Sequence, residues 1–265
     1  MRHFFAIRRN SRSLRWTIAF FLSCGLSFGS GAVFRVQGGE TVPGEIKTLI
    51  DQIDQAANKR DLPALMNFYS PKFTSADGLT YESLKKGLEQ LWQRYPDLQY
   101  QTKIVSWKQD GDRLSVDTVT EITGTGKINL MAVKLQSTVK SRQQFQGKQL
   151  LRQEIVSEQT QLTSGSNPPN VEVILPEKVR PGTEFDFDVI VKEPLGNDFL
   201  LGTAIEEKVE GDRYINPGNL DLDILEAGGL FKRVKAGSTP QEKWLSAIIV
   251  RGDGATLITR RVIVE

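Results

Sequence analysis

The chain has 265 residues, enough for two domains, and its 39% hydrophobic and 25% charged content is that of a globular protein, which argues against general disorder. Its formal charge of +2 hides an asymmetry, because residues 1–35 hold six of the 34 lysines and arginines and none of the 32 acids. The remainder carries 28 bases against 32 acids, a balance with no general attraction for nucleic acid, and no nucleic-acid-binding motif is present.

The first element in chain order is a leader. Arg2, Arg8, Arg9, Arg12 and Arg15 precede an apolar run from Trp16 to Phe34, the pattern of an export signal. Ser30 and Ala32 suit cleavage after Ala32, and Gly38 is a second end point, so residues 1–38 read as signal peptide and the start of a spacer. An uncleaved anchor is the rival reading, since the run of 19 residues just spans a bilayer. Export places the mature protein in a periplasm or a thylakoid lumen, or at a membrane through its N-terminal segment. Cys24 is the single cysteine, so no internal disulfide forms.

Ile46, Leu49, Ile50, Ile53 and Ala57 recur at helical spacing and predict a first helix. Asp61 is the expected N-cap of a second, carrying Leu62, Leu65, Met66 and Tyr69 until Ser70-Pro71 stops it. Thr80 is the expected N-cap of a third, whose apolar stripe is Leu84, Leu88, Leu91, Trp92 and Tyr95 and whose end is set by Pro96. Gly87 inside that helix costs about 1 kcal/mol relative to Ala, so close approach of another backbone is expected there. Three helices thus precede any predicted strand.

From Leu98 the period becomes two. One strand runs to a turn at Asp110-Gly111-Asp112, a second over 113–123, a third over 128–145 after a bend at Gly124 and Gly126, and a fourth over 149–162. Residues 44–163 resemble the nuclear transport factor 2-like superfamily, on Ala56-Ala57, Asp61-Leu62, the Phe68-Tyr69-Ser70-Pro71 exit with Phe73, Asp77-Gly78, and the Trp92 helix leading into strands. The resemblance implies an α+β fold in which three helices pack on a bent antiparallel sheet, a cystatin-like cone. Members include isomerases, dehydratases and cyclases as well as non-catalytic binding modules.

Residues 164–170, SGSNPPN, read as a linker. Beyond it, 171–175, 184–192, 200–209, 220–225, 244–251 and 256–264 are short strand candidates, and 171–265 is expected to be a small β-sandwich resembling an immunoglobulin-like module. Glu184, Asp186 and Asp188 share one strand face, where charge blocks edge pairing.

No zinc-ligand spacing, phosphate-binding glycine loop or Ser–His pair occurs in the mature chain, where the sole histidine, His3, is absent. No cofactor, metal or catalytic residue is assigned. Two functional readings stand. The first is an exported, non-enzymatic binding or assembly protein whose partner is a protein, an apolar small molecule, a membrane surface or a second copy of itself. Its pocket candidates are Tyr69, Trp92, Tyr95 and Trp107, and its electrostatic docking candidates are Lys140, Arg142, Lys148 and Arg152, on a hairpin with no acid between Glu121 and Glu154. The second is an isomerase- or dehydratase-type enzyme in which Asp54 works with Tyr69 or Tyr95. A cone carboxylate bonded to a tyrosine favours the enzyme.

Overall fold

The computed structural model describes residues 42–265 apart from 129–130, 195, 197–198, 215–220, 226 and 253. The leader, its cleavage region and Cys24 lie outside the described residues. Helix α1 spans Gly44–Asn58 and buries Ile46, Leu49, Ile50 and Ala57 of the predicted stripe together with Ala56, while Ile53 is half-buried. Asp61 caps α2, Leu62–Met66, by accepting from the Ala64 N–H at 3.0 Å. The corner between the two helices turns on Arg60, a non-glycine residue at φ 55°, and is closed by Asp61 N–H donating to Ala56 C=O at 3.0 Å. Helix α3 is Tyr81–Arg94, with Thr80 accepting from the Ser83 N–H and Ser83 returning a bond to Thr80 in a capping box.

Two expectations about the helices change. Tyr69 does not continue α2. It opens strand β1, Tyr69–Ser75, which pairs in parallel with β5, Gln149–Gly165. A five-residue helix cannot bury its stripe alone, and a backbone entering the sheet gains ladder bonds instead. No backbone approaches Gly87, where an added Cβ would meet nothing within 4 Å. The close approach falls on Gly126, where a Cβ would lie 2.6 Å from Arg94 O and 2.4 Å from a Tyr95 ring carbon. β3 runs through Gly124 and Gly126 in unbroken register with β4 rather than bending there as expected, and the bare backbone at Gly126 seats the end of α3 on the sheet.

Strands β2, Gln99–Asp110, β3, Arg113–Ile128, β4, Met131–Gln146, and β5 form an antiparallel meander, as predicted. Gly111 and Gly147 take positive φ at two of its turns.

The second half consists of β6, Val171–Ile174, β7, Lys178–Val179, β8, Glu184–Val191, β9, Leu200–Lys208, β10, Asp223–Leu225, β11, Gly229–Lys235, β12, Gln241–Arg251, and β13, Gly254–Val264. Of these, β7 and β11 have no counterpart among the predicted strands. The strands do not form one closed unit. β13 pairs with β5 from Gly254↔Gly165 to Arg260↔Gln159, so β10-β9-β12-β13-β5-β4-β3-β2 is one continuous ladder of a sheet to which β1 and β7 also belong. Ser164 and Gly165, read as linker, are paired strand residues opposite Ala255 and Gly254. β11, β8 and β6 make a separate three-stranded sheet. It covers the outer face of the large sheet, where Phe187, Val189, Leu230 and Val234 meet Leu245, Ala247, Ile249, Ile258 and Val262.

On the helix side the cores follow the strand phases. Ile46, Leu49 and Ile50 pack with Phe73, Leu114, Val116, Phe145 and Leu150. A second group joins Leu65, Leu91, Trp92, Tyr95 and Ile122 to Leu162, Trp244, Ile248 and Leu257. Residues on either side of the 164–170 stretch thus share one sheet and one apolar core.

Candidate functional site

Asp54 lies on the side of α1 that faces β2. One carboxylate oxygen accepts from the Thr102 N–H at 2.6 Å and the other from the Thr102 hydroxyl at 2.7 Å. The Thr102 and Thr120 hydroxyls lie 3.0 Å apart. One turn on, Asn58 accepts from the Tyr100 N–H at 2.6 Å and donates to the Tyr100 carbonyl at 3.0 Å. Two side chains four apart on one helix therefore satisfy the backbone of the edge strand, which blocks pairing with another chain there. Burial raises the Asp54 pKa by more than the two Thr102 bonds lower it.

The four pocket candidates belong to two neighbouring apolar cores. Trp92 and Tyr95 belong to the core beneath α3. Trp107 packs with the α1 core, and Tyr69 touches both groups, with its ring edge-on to Phe73 at 5.1 Å. The Trp92 indole N–H donates to the Tyr100 hydroxyl at 3.0 Å. Burial pushes the Tyr69 and Tyr95 phenols up to about 12 and raises Tyr100 as well. Neither tyrosine paired with Asp54 in the enzymatic reading is hydrogen-bonded to it; the bonds of Asp54 run to Thr102.

Further along the same sheet face, hydroxyls pair across strands: Thr118 with Ser141 at 3.1 Å, Ser137 with Thr160 at 3.1 Å, and Ser246 with Thr259 at 2.8 Å. This polar row leads to Arg261, whose side chain is fully buried. All five guanidinium N–H groups have acceptors. Nε donates to Glu158 at 3.3 Å. Nη1 donates to Asp77 at 3.0 Å and to Glu242, and Nη2 to Asp77 at 2.8 Å and to Glu158 at 3.2 Å. The Trp244 indole N–H adds a bond to the same Glu158 oxygen at 2.8 Å, and its ring lies 5.7 Å from the guanidinium carbon.

The cluster joins four parts of the chain. Asp77 comes from the turn between β1 and α3, Glu158 from β5, Glu242 and Trp244 from β12, and Arg261 from β13. Burial raises the pKa of Glu158 and of Glu242 despite the attraction of Arg261. Sequence reasoning missed it. Its signal was present: Arg261 falls on the inward strand phase of Leu257 and Thr259 inside the run LITRRVIV, where an unpaired cation would be costly.

At this cluster the sheet forks. The β5–β13 pairing stops at Gln159 and Arg260, after which β5 runs to β1 while β13 pairs with β7. A cleft of about 420 Å³ opens there, lined by Lys140, Arg142, Glu154, Lys178, Glu242 and Glu265 among others. A smaller pit of about 130 Å³ shares Lys140 and Val156 with it and adds Val105 and Val119. Neither cavity is lined by Tyr69, Trp92, Tyr95 or Trp107.

Of the four docking candidates, Lys140 and Arg142 line the cleft, whereas exposed Lys148 sits in the β4–β5 turn and exposed Arg152 lies opposite Gln144. Arg142 is bonded to Asp117 at 3.0 Å and lies opposite Glu154, so acids from β3 and β5 face the basic stretch of β4.

A family model described as a domain of unknown function (DUF8623) matches residues 166–265. No curated protein matches the chain. Several solved structures are similar to part of it. Bd1075 of Bdellovibrio bacteriovorus is 17% identical with a TM-score of 0.32, and the match covers 42% of this chain and 38% of that one. A protein of unknown function with a cystatin-like fold from Nostoc punctiforme is 13% identical, with a TM-score of 0.29 over 42% of this chain and 86% of that one. A protein with a ketosteroid isomerase-like fold from Catenulispora acidiphila is 14% identical, with a TM-score of 0.28 over 40% and 82%.

Proposed function

We propose that the chain is an exported, non-enzymatic binding or assembly protein. Its first half acts as a nuclear transport factor 2-like cone and its second as a β-sandwich interaction module. The observation that carries this reading is the use of Asp54. Both of its oxygens accept from Thr102, so two of the carboxylate's four lone pairs fasten α1 to the edge strand, and neither Tyr69 nor Tyr95 is hydrogen-bonded to it. Tyr69 and Tyr95, with phenols near 12, hold their protons throughout the physiological range. A general base needs a free lone pair directed at substrate, and a general acid needs a pKa near the working pH.

The enzymatic alternative keeps one favourable observation, the raised pKa of Asp54, which is the direction a base working near neutrality requires. The Asp54→Asn variant separates the two readings. Its amide oxygen can accept the Thr102 N–H while its NH₂ donates to the Thr102 hydroxyl, which turns toward Thr120. The fold should therefore persist, with stability within about 1 kcal/mol of the parent. The intact chain is assayed against enolisable ketones and dehydratable alcohols, and its partners in the native host are identified by cross-linking. Turnover that is lost in Asp54→Asn at unchanged Tm would overturn the binding reading. Cross-linked partners retained by that variant, without turnover by either protein, support it.

A further inference from the structure

The Arg261 cluster places three carboxylates around one guanidinium. The side chains of Arg261, Asp77 and Glu158 are 0%, 4% and 1% exposed, and that of Glu242 is 30% exposed. With every acid ionised the four side chains would sum to a charge of −2 where solvent screens it poorly. Two cations of the neighbouring elements are engaged elsewhere. Arg142 on β4 is held by Asp117 and Lys178 on β7 by Glu265. Lys140, on the cleft wall, lies opposite Ser157. The charge that acts favourably on both Glu158 and Glu242 is Arg261, while Asp77 opposes their ionisation and Glu154 adds to the opposition at Glu242. Glu177 and Glu265 add acid to the cleft.

Asp77 receives both ends of the guanidinium, the arrangement of an ionised carboxylate. Glu158 and Glu242 divide the remaining donors. We propose that this cluster is a proton-binding site, holding a proton on Glu158 or Glu242 at neutral pH and releasing it as the pH rises, so that the seam at the fork of the sheet loosens in alkali. The proton keeps the β1–α3 turn, β5 and the β12–β13 hairpin in one assembly. Glu242, half-buried at the cleft, gives it a path to solvent. The site is independent of whether the cone binds or catalyses.

The sign follows from linkage. A carboxyl whose folded pKa is raised makes the folded chain bind more protons than the unfolded one. Its stabilising contribution is complete below the unfolded value, near 4.5, and is lost as the pH rises through the folded value. One retained proton changes the unfolding equilibrium constant by up to about tenfold per pH unit.

The test is urea unfolding of the full chain between mildly acidic and mildly alkaline pH. Asp54→Asn serves as the background, to remove another carboxyl whose pKa burial raises. The background chain should lose stability as the pH rises, by up to about tenfold in the unfolding constant per unit, and Glu242→Gln or Glu158→Gln should flatten that slope. Parallel slopes in the background and both variants, or stability that rises with pH, overturn the proposal. Should Glu158→Gln fail to fold, the infrared spectrum of the folded background chain decides. A protonated-carboxyl carbonyl band at neutral pH that disappears in mild alkali supports the site, and no such band at neutral pH removes it.

Discussion

Arg261 and Asp77, 184 positions apart in the chain, meet through two parallel hydrogen bonds of 3.0 and 2.8 Å, so the last strand is fastened to the turn that introduces α3. The guanidinium fork, not its charge alone, is what the position requires. Lysine has three rotatable donors and no planar edge, whereas Arg261 uses five N–H groups on three carboxylates. Arg261→Lys should therefore cost about 3–5 kcal/mol, since it leaves buried carboxylates without donors. Chemical denaturation measures it, and a loss below about 1 kcal/mol would mean that charge suffices.

Tyr95 offers a change in the opposite direction. Its side chain is fully buried and its hydroxyl oxygen has no hydrogen-bond partner among the described residues. An unsatisfied buried hydroxyl costs about 1–3 kcal/mol, and Phe preserves the ring's packing. Tyr95→Phe should stabilise the chain by about 1 kcal/mol, read as a higher Tm. A destabilised variant would show that the hydroxyl has a partner.

Gly126 is required by space. A methyl group there would overlap Arg94 O and the Tyr95 ring, and one of these contacts is rigid backbone at a helix end. Gly126→Ala should cost about 1–3 kcal/mol, as overpacked sites do, whereas Gly87→Ala on the open side of α3 should stabilise by up to about 1 kcal/mol through helix propensity. Equal responses at the two glycines would contradict the seating of α3 on β3.

The helices, their caps and the β2–β5 meander were legible because each is written in local chemistry: Asp61 and Thr80 before apolar stripes, and glycines at tight turns. Long-range choices were not. β1 was hidden because Ser70-Pro71 reads as a helix stop with no sign of which strand the exit joins. The β5–β13 seam was hidden because SGSNPPN has a linker's composition, although its first two residues are in the ladder. The polar cluster was hidden for a related reason. Asp77, Glu158, Glu242 and Arg261 each look like ordinary surface charge until register places them together, and the bond of Arg142 to Asp117 is likewise visible only once β3 and β4 are paired.

That seam bears on how the chain unfolds. β5 is an interior strand, bonded to β4 on one side and to β13 on the other. Trp244, Ile248 and Leu257, at 0%, 0% and 2% exposure, complete a core begun by Leu91, Trp92, Tyr95 and Ile122. Separating the halves would uncover those side chains, break the β5–β13 ladder and leave Arg261 without Asp77 and Glu158. Each fully exposed side chain of this size forfeits about 1.5–3 kcal/mol, so a half-folded state is disfavoured by a large part of a domain's total stability. Urea unfolding should therefore give one transition, with the same midpoint for tryptophan fluorescence and for far-ultraviolet circular dichroism. Trp244→Ala should shift both midpoints together, at a cost of about 3–5 kcal/mol. Two resolved transitions, with only the second moved by Trp244→Ala, would mean that the shared sheet does not couple the halves and that each folds as a separate unit.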